Sequence, residues 1–342
     1  HHNYIKRFLA DWDMARDNRP QLSCLPDTLK TIAVVGGGPA GLSAAFFLRR
    51  LGHTVTIFEA LPELGGMLRY GIPEYRLPKA RLDSEIADII DLGVTVRLST
   101  RIGVDVSFGD LDRDFDAIFM AAGAWDNHTL RLEGEDTMKG VFRGTEFLAR
   151  RELGNALDLT GKKVVVVGGG NTAIDAARSS LRQGAESVTL AYRRTRAEMP
   201  ANMVEIEAAE HEHIQFQFLA APTSLVADGD GNVKELIYLK MELGEPDASG
   251  RRRPVPIEGS ETSMPADVVI AAVGQKPKLD WWSKAMEEKG LSVTRWNTLE
   301  ADKATLQTQY EKVFVAGDLF SGPALVVDAI GTSRRAARSI HK

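Results

Sequence analysis

Apolar positions along this chain fall into short unbroken runs that end at glycines. Thr31-Ile-Ala-Val-Val35 is apolar along nearly its whole length, as a strand buried on both faces of a parallel sheet must be. It runs directly into Gly36-Gly-Gly-Pro-Ala-Gly41, a helix pattern from about Leu42 to Leu51, and a second strand pattern from Val55 to Glu59. The succession returns at Lys163-Val-Val-Val-Val167, Gly168-Gly-Gly-Asn-Thr-Ala173, a helix to about Arg182, and Ser187-Val-Thr-Leu-Ala-Tyr192. The copies are offset by 132 residues at the glycines and by 133 at Val55 and Val188. An internal repeat of strand, glycine turn, helix and strand predicts two dinucleotide-binding units of α/β type.

Each unit is closed by a later apolar strand ending in glycine, Phe115 to Gly123 and Asp267 to Gly274. Such a glycine lets backbone pass close to a ligand. Val233 to Met241 and Val255-Pro-Ile257, set off by turns at Asp228–Asn232 and Arg251–Arg253, predict a small antiparallel meander. Lys312-Val-Phe-Val-Ala-Gly-Asp318 is another buried strand, followed by Pro323 and a helix from about Ala324. The N–H groups at that helix's start could meet an anion or a polarised carbonyl. At the other end, Ile5, Phe8, Leu9 and Trp12 have the spacing of one apolar helix face over residues 4 to 17, before a loop with Pro20 and Pro26.

A length of 342 residues suits about two domains, each with its own core. The 42 basic and 47 acidic residues give a net charge of -5, which points to neither nucleic acid nor a membrane surface as the main partner. With Cys24 as the one cysteine, the chain can form no internal disulfide, CxxC pair or thiolate-held cluster. Redox chemistry must then use a bound organic cofactor. No apolar run approaches the roughly 18 residues of a membrane span, and the start lacks a signal peptide's apolar core, so a cytoplasmic location is expected. The opening His1-His2 suggests a tag remnant or a cut within a longer polypeptide.

In the first unit Gly36 permits the tight turn, Gly38 lets backbone approach a pyrophosphate, and Gly41 lets helix pack on strand. Glu59, at the end of the second strand, can accept both ribose hydroxyls of an adenosine and would repel a 2'-phosphate. The alternative is a structural turn beside a surface glutamate. In the second unit Tyr192 stands opposite Glu59, Arg193-Arg194 follow, and Ala173 replaces the third glycine. Guanidiniums without a carboxylate suit a 2'-phosphate and predict a preference for NADP(H). Alternatively these arginines, with Arg196, form a solvated basic turn. Two sites of unlike preference imply one fixed, flavin-like cofactor and one exchanging nicotinamide. Hydride transfer between them needs stacking and orientation more than a side-chain acid or base, so no catalytic side chain is expected.

Gly65-Gly-Met-Leu-Arg-Tyr-Gly-Ile-Pro73 with Arg76-Leu-Pro-Lys79, then Gly168 to Ala173, Tyr192-Arg-Arg194 and Met199-Pro-Ala201, resembles the small (beta) subunit of glutamate synthase. The FAD/NADPH module of dihydropyrimidine dehydrogenase is similar. The resemblance covers the chain from about Tyr4 onward. It implies two Rossmann-like domains, the NADP domain inserted into a split FAD domain, as in proteins of glutathione-reductase or adrenodoxin-reductase type. The boundaries expected are 1–30 for an N-terminal helix and linker, 31–136 plus 278–342 for the FAD domain, and 137–277 for the NADP domain.

By the same resemblance FAD would contact Gly36, Gly38, Pro39, Ala40, Gly41, Glu59, Gly66, Met67 and Arg76, with Ile102 on the adenine side. Gly317 and Asp318 would serve the ribityl or pyrophosphate region, and Ala324, Leu325, Val326 and Val327 would cap the pyrimidine end of the flavin. NADPH would contact Gly170, Asn171, Thr172, Ala173, Arg193, Arg194, Ala272, Val273 and Gly274. Arg76 could instead be a simple surface ion pair. The implied activity is hydride transfer from NADPH to FAD, then electron delivery to iron-sulfur centres in an absent domain or partner, such as the glutamate synthase large subunit. A stand-alone NADPH-flavin oxidoreductase with a small-molecule acceptor, and a docking module without turnover, are the competing readings.

No metal site is expected: the histidines of Glu210-His-Glu-His213 splay apart on a helix, which reads as a solvated helix end. Trp281-Trp282 are expected to bury against a neighbouring helix, His53 to lie on the surface, and Cys24 to be inert.

Overall fold

A computed structural model describes residues 2–16, 22–248 and 250–342. The chain opens with α1 (His2–Met14) and then lays down β1 (Thr31–Val35), α2 (Pro39–Arg50), β2 (Thr54–Phe58), α3 (Met67–Tyr70), α4 (Lys79–Ile90), β3 (Thr95–Arg97), α5 (Phe108–Asp114) and β4 (Ala117–Met120). Next come β5 (Asp126–Asn127), β6 (Val141–Arg143), α6 (Gly144–Glu152), β7 (Lys163–Val167), α7 (Asn171–Arg182) and β8 (Ser187–Tyr192). A 3-10 turn at Arg196–Glu198 leads to α8 (Met203–His211), β9 (Gln215–Phe218), β10 (Ala220–Ala227), β11 (Val233–Pro246), β12 (Arg252–Pro256), β13 (Thr262–Pro265), β14 (Val268–Ala271) and β15 (Gln275–Lys276). The last stretch holds α9 (Lys284–Glu288), β16 (Val313–Val315), α10 (Asp318–Ser321) and α11 (Val326–His341).

These elements form two compact units: His1–Leu68, Leu77–Ala124 and Pro277–Lys342 make the first, Arg69–Arg76 and Trp125–Lys276 the second. The second begins at Trp125 rather than at residue 137, and it takes in the short strap Arg69–Arg76, which the motif reading had assigned to the first. Arg76 of the strap is ion-paired with α7 and α8 of that unit.

In the first unit the strands run β16-β4-β1-β2-β3, all parallel. Strands buried on both faces explain the unbroken apolar runs. One face carries α2 and α11 over Ile32, Val34, Val55 and Ile57; the other packs Ile118, Met120 and Val315 against Phe108, Leu111 and Trp281. The second unit repeats the order as β6-β14-β7-β8-β9, again parallel. Beside it β11 pairs antiparallel with β10, β12 and β13. That meander is larger than the sequence pattern suggested, because half-exposed strands dilute the apolar signal. In each parallel sheet the strand order reverses beside the strand that runs into the glycine turn, β1 in one and β7 in the other, and the crevice at the strand C-termini there is where such folds bind ligands.

Two expectations change. The helix at residues 4 to 17 forms as far as Met14, with Asp17 and Pro20 outside the described residues, yet Ile5, Phe8, Leu9 and Trp12 are exposed. Asp11, on the same helix, pairs instead with Arg81 at 2.8 Å. His53 is not a surface residue: it is 4% exposed, accepts or donates at Thr28 Oγ1 (2.7 Å), and meets His341 at 3.1 Å. Burial pushes its pKa down, and the neighbouring His341 adds to that. Sequence could not show this because His341, on the helix α11 that closes over it, lies 288 residues further on. Trp281 is buried as expected.

Candidate functional site

In the first unit β1 ends and α2 begins within the 36–41 turn, with Pro39 at the helix's first position, where a missing N–H costs nothing. Three segments distant in sequence converge on this turn. From the end of β2, Glu59 accepts the Gly37 N–H at 2.7 Å through one oxygen and the Leu61 N–H at 2.8 Å through the other. Burial raises the Glu59 pKa, and the N–H groups of Leu61, Gly37 and Ala60 oppose the rise. From the start of α3, Gly66 lies so close that a Cβ there would sit 2.7 Å from the Gly38 Cα. Before α10, Gly317 has φ +63°, and a Cβ would come within 2.8 Å of the Ala40 Cβ.

Asp318 follows, its pKa raised by burial and its Oδ1 accepting the Ala324 N–H at 3.2 Å. Leu325, at 67% exposed, and Val327, at 65%, flank the start of α11 with Val326 between them. The motif residues Gly36, Gly38, Pro39, Ala40, Gly41, Glu59, Gly66, Gly317 and Asp318 are thus brought together around one turn. Met67 opens α3, and Ile102 is buried in the core beneath Trp281.

Arg76 is placed elsewhere. Its guanidinium pairs with Asp175 of α7 at 2.6 Å and with Glu205 of α8 at 3.1 Å, the ion-pair alternative. Next to it Tyr75 is packed against the guanidiniums of Arg178 and Arg182, at 4.5 and 4.1 Å. Glu212 binds both arginines at 2.7 Å, so the acidic half of Glu210-His-Glu-His213 is a structural anchor. Among the described residues no group of three or more His, Cys, Asp or Glu is placed to hold a metal ion. Sequence reading missed this clasp, although Asp175 and Arg178, the charges within the buried stretch of mostly small residues from Ala173 to Ser180, were its signal.

The hydrogen bond from Arg182, with help from Arg178, holds the Glu212 carboxyl down at about 2. A carboxylate depressed in the folded state stabilises it above the ordinary pKa and loses that contribution as pH falls. Stability of the second unit should therefore decline between about 4.5 and about 2 as Glu212 takes up its proton. Glu212→Gln should flatten the melting-temperature profile over that window; an unchanged slope would contradict the assignment.

The second unit's turn matches the first with one substitution of principle. Gly168, at φ +145°, lies against the Ala272 carbonyl, 2.3 Å from a hypothetical Cβ. At the place where Gly37 meets Glu59, Gly169 lies over the Tyr192 ring, whose hydroxyl donates to the Glu198 carbonyl at 2.9 Å. Gly170 caps α7 with nothing within 4 Å of where its Cβ would be. Asn171 accepts the Asn202 N–H at 2.9 Å, Ala173 is buried, and Thr172 lies beside Gly144, which packs on Ala272. Val273 is exposed, and Gly274 (φ +121°) lies against the His128 ring.

The arginines part company. Arg193 is exposed, whereas Arg194 is 6% exposed and turned inward to Asp247 and the Arg252 carbonyl. The sequence expectation that both serve one phosphate does not describe this arrangement.

Two parallel dinucleotide folds in one chain, one with a buried acid at the end of its second strand and the other with a tyrosine and an arginine there, are the architecture of the oxidoreductases that pair a flavin with a nicotinamide. The family model for pyridine nucleotide-disulphide oxidoreductases matches residues 30–333. The NADP(+)-dependent formate dehydrogenase subunit beta of Moorella thermoacetica is 45% identical over 98% of this chain and 50% of its own length. The glutamate synthase [NADPH] small chain of Escherichia coli (strain K12) is 38% identical over 98% of this chain and 73% of its own. Among solved structures, Mycobacterium tuberculosis FprA in complex with NADPH superposes with a TM-score of 0.77 at 19% identity, covering 92% of this chain and 84% of that one.

The chain therefore belongs to the pyridine nucleotide-disulphide oxidoreductases, in the branch that includes the glutamate synthase small chain. It spans about half the length of relatives such as the Moorella subunit.

Proposed function

We propose that the first unit holds FAD, that the second takes NADPH, and that the chain passes reducing equivalents from NADPH to an iron-sulfur partner of the glutamate synthase type. The observation that carries this reading is the exchange at the end of the second strand: a buried Glu59 in one unit, Tyr192 followed by an exposed Arg193 in the other. The cradle fits the groups. Gly38 and Gly170 have negative φ and no protein atom closer than 3.6 Å to a Cβ, so nothing within the chain calls for glycine there; a pyrophosphate lying on the turn would.

Gly38, Pro39, Ala40 and Gly41 would present the N-terminus of α2 to the FAD pyrophosphate, and Glu59 would accept its adenosine ribose hydroxyls. Gly66, Met67, Gly317 and Asp318 complete the proposed FAD set; Arg76, held by Asp175 and Glu205, and Ile102, buried in the core, are left out of it. The exposed apolar stretch Ala324–Val327 would cover the flavin's pyrimidine end, its N–H groups donating to a carbonyl there. In the second unit Gly170, Asn171, Thr172 and Ala173 would present α7 to the NADPH pyrophosphate, with Ala272, Val273 and Gly274 alongside. Bound together, a nicotinamide supplies a hydride, and a flavin can take it as two electrons and release them one at a time. With one cysteine in the chain, dithiol exchange within it is excluded, which suits delivery to one-electron centres. NADPH as donor and a lone unpaired cysteine support a cytoplasmic location.

The Moorella subunit and the Escherichia coli small chain carry names of multi-subunit enzymes, which supports a partner subunit as the acceptor. Glu59→Ala tests the FAD half. Loss of a buried, charge-assisted acceptor should weaken FAD by roughly 10- to 100-fold, read as FAD retained after gel filtration. Undiminished retention would overturn the assignment.

A further inference from the structure

The segment after β8 carries Arg193, Arg194 and Arg196, and the structure commits two of them elsewhere. Arg194 donates from Nε to the Arg252 carbonyl at 2.7 Å and from Nη2 to Asp247 Oδ2 at 2.8 Å. Arg196 is bound at two points by Glu210, at 2.8 and 3.0 Å. Arg193 is exposed and makes no hydrogen bond or ion pair with any described residue. A guanidinium neutralised by a carboxylate attracts an anion weakly. Moving the buried Arg194 to a ligand would also strand Asp247 without its cation.

Arg194 instead has the connections of a clamp. Its partner Arg252 reaches back with its own side chain to Glu198, Nε at 2.9 Å, while Glu198 caps the 3-10 turn through Thr195. The stretch from 194 to 198 is therefore tied twice to one residue of β12. The Arg194 carbonyl also accepts the Leu219 N–H at 3.1 Å. Every one of these ties fixes the backbone that carries Arg193.

Resting on the reading that the second unit takes NADPH with its 2'-phosphate at Arg193, we propose that Arg194 is a positioning residue, pinned by Asp247 so that Arg193 faces outward. Preference for NADPH then depends on one free arginine and on a carboxylate that touches no cofactor.

The test is calorimetric binding of NADP+ and, separately, NAD+ to the oxidised, FAD-loaded chain at several salt concentrations, with no turnover. Arg193→Ala should weaken NADP+ by roughly 10- to 100-fold, leave NAD+ unchanged, and flatten the salt dependence. Asp247→Asn, nearly isosteric, should weaken NADP+ several-fold with the salt dependence as steep as in the wild type. Arg194→Ala should likewise keep that steepness. Unchanged or tighter NADP+ binding by Asp247→Asn, or salt dependence flattened by Arg194→Ala as much as by Arg193→Ala, would overturn the positioning role. A wild-type chain that binds NADP+ and NAD+ alike would overturn the underlying NADPH reading instead.

Discussion

Gly41→Ala will yield protein that neither retains FAD nor melts as the wild type does. The methyl group would be built 1.8 Å from the Gly36 carbonyl oxygen and 3.1 Å from a Val34 methyl, and the nearest of these contacts is backbone at the tightest point of the turn. Ordinary overpacking costs about 1–3 kcal/mol because side chains give way; here α2 itself must lift off β1, so the cost lies above that range. Lifting α2 also moves the N–H groups assigned to the FAD pyrophosphate. Gly331→Ala is the control: it lies in α11 with nothing within 4 Å of the added methyl, and removing a helical glycine should stabilise by roughly 0.5–1 kcal/mol. Flavin absorbance of the purified proteins and their thermal melts decide the matter. A Gly41→Ala protein with full FAD content and an unshifted melt would contradict the packing argument.

The clasp on the strap Arg69–Arg76 should give the second large effect. Asp175 is buried on α7 beside Glu205, and Arg76 lies against both. Arg76→Met leaves a buried carboxylate next to another with that cation gone, and breaking such a pair typically costs about 3–5 kcal/mol. Replacing both partners, Arg76→Met with Asp175→Leu, removes the buried charge along with its partner and should recover most of the loss.

The pH dependence has a definite sign. Burial lifts the Asp175 carboxyl from its ordinary 3.8 to about 6, against the pull of Arg76. A folded-state pKa above the unfolded one means the native chain binds the proton more readily. Stability from this group is therefore greatest below about 3.8 and falls as pH rises to about 6. Without Arg76 the pKa rises further, so the cost of Arg76→Met should be largest near pH 7 and shrink toward pH 5. Hydrogen exchange of the α7 amides at the two pH values reads this for the second unit alone. A cost independent of pH, or a double variant as unstable as the two singles summed, would contradict it.

The sequence made the repeat legible because strands buried on both faces leave continuous apolar runs, and the glycine that opens each turn is needed for backbone reasons that no other residue meets. Gly36 and Gly168 have positive φ and each abuts a carbonyl of the closing strand, so matched patterns 132 residues apart correspond to matched geometry. Glu59 was legible for the same reason: its position is fixed by strand length.

What the sequence hid depends on partners far away in the chain. Arg76 meets Asp175 across 99 residues, and Arg194 meets Asp247 across 53. Nothing local distinguishes an arginine that turns inward from its neighbour that stays out. His53 looks like a turn residue until α11 covers it.

On the proposed reading this chain moves reducing equivalents from NADPH to FAD held by its first unit. An anaerobic titration of the FAD-loaded protein, following the flavin's visible band, tests it most directly. NADPH should bleach the band at far lower concentration than NADH does. A flavin left oxidised by excess NADPH would contradict it.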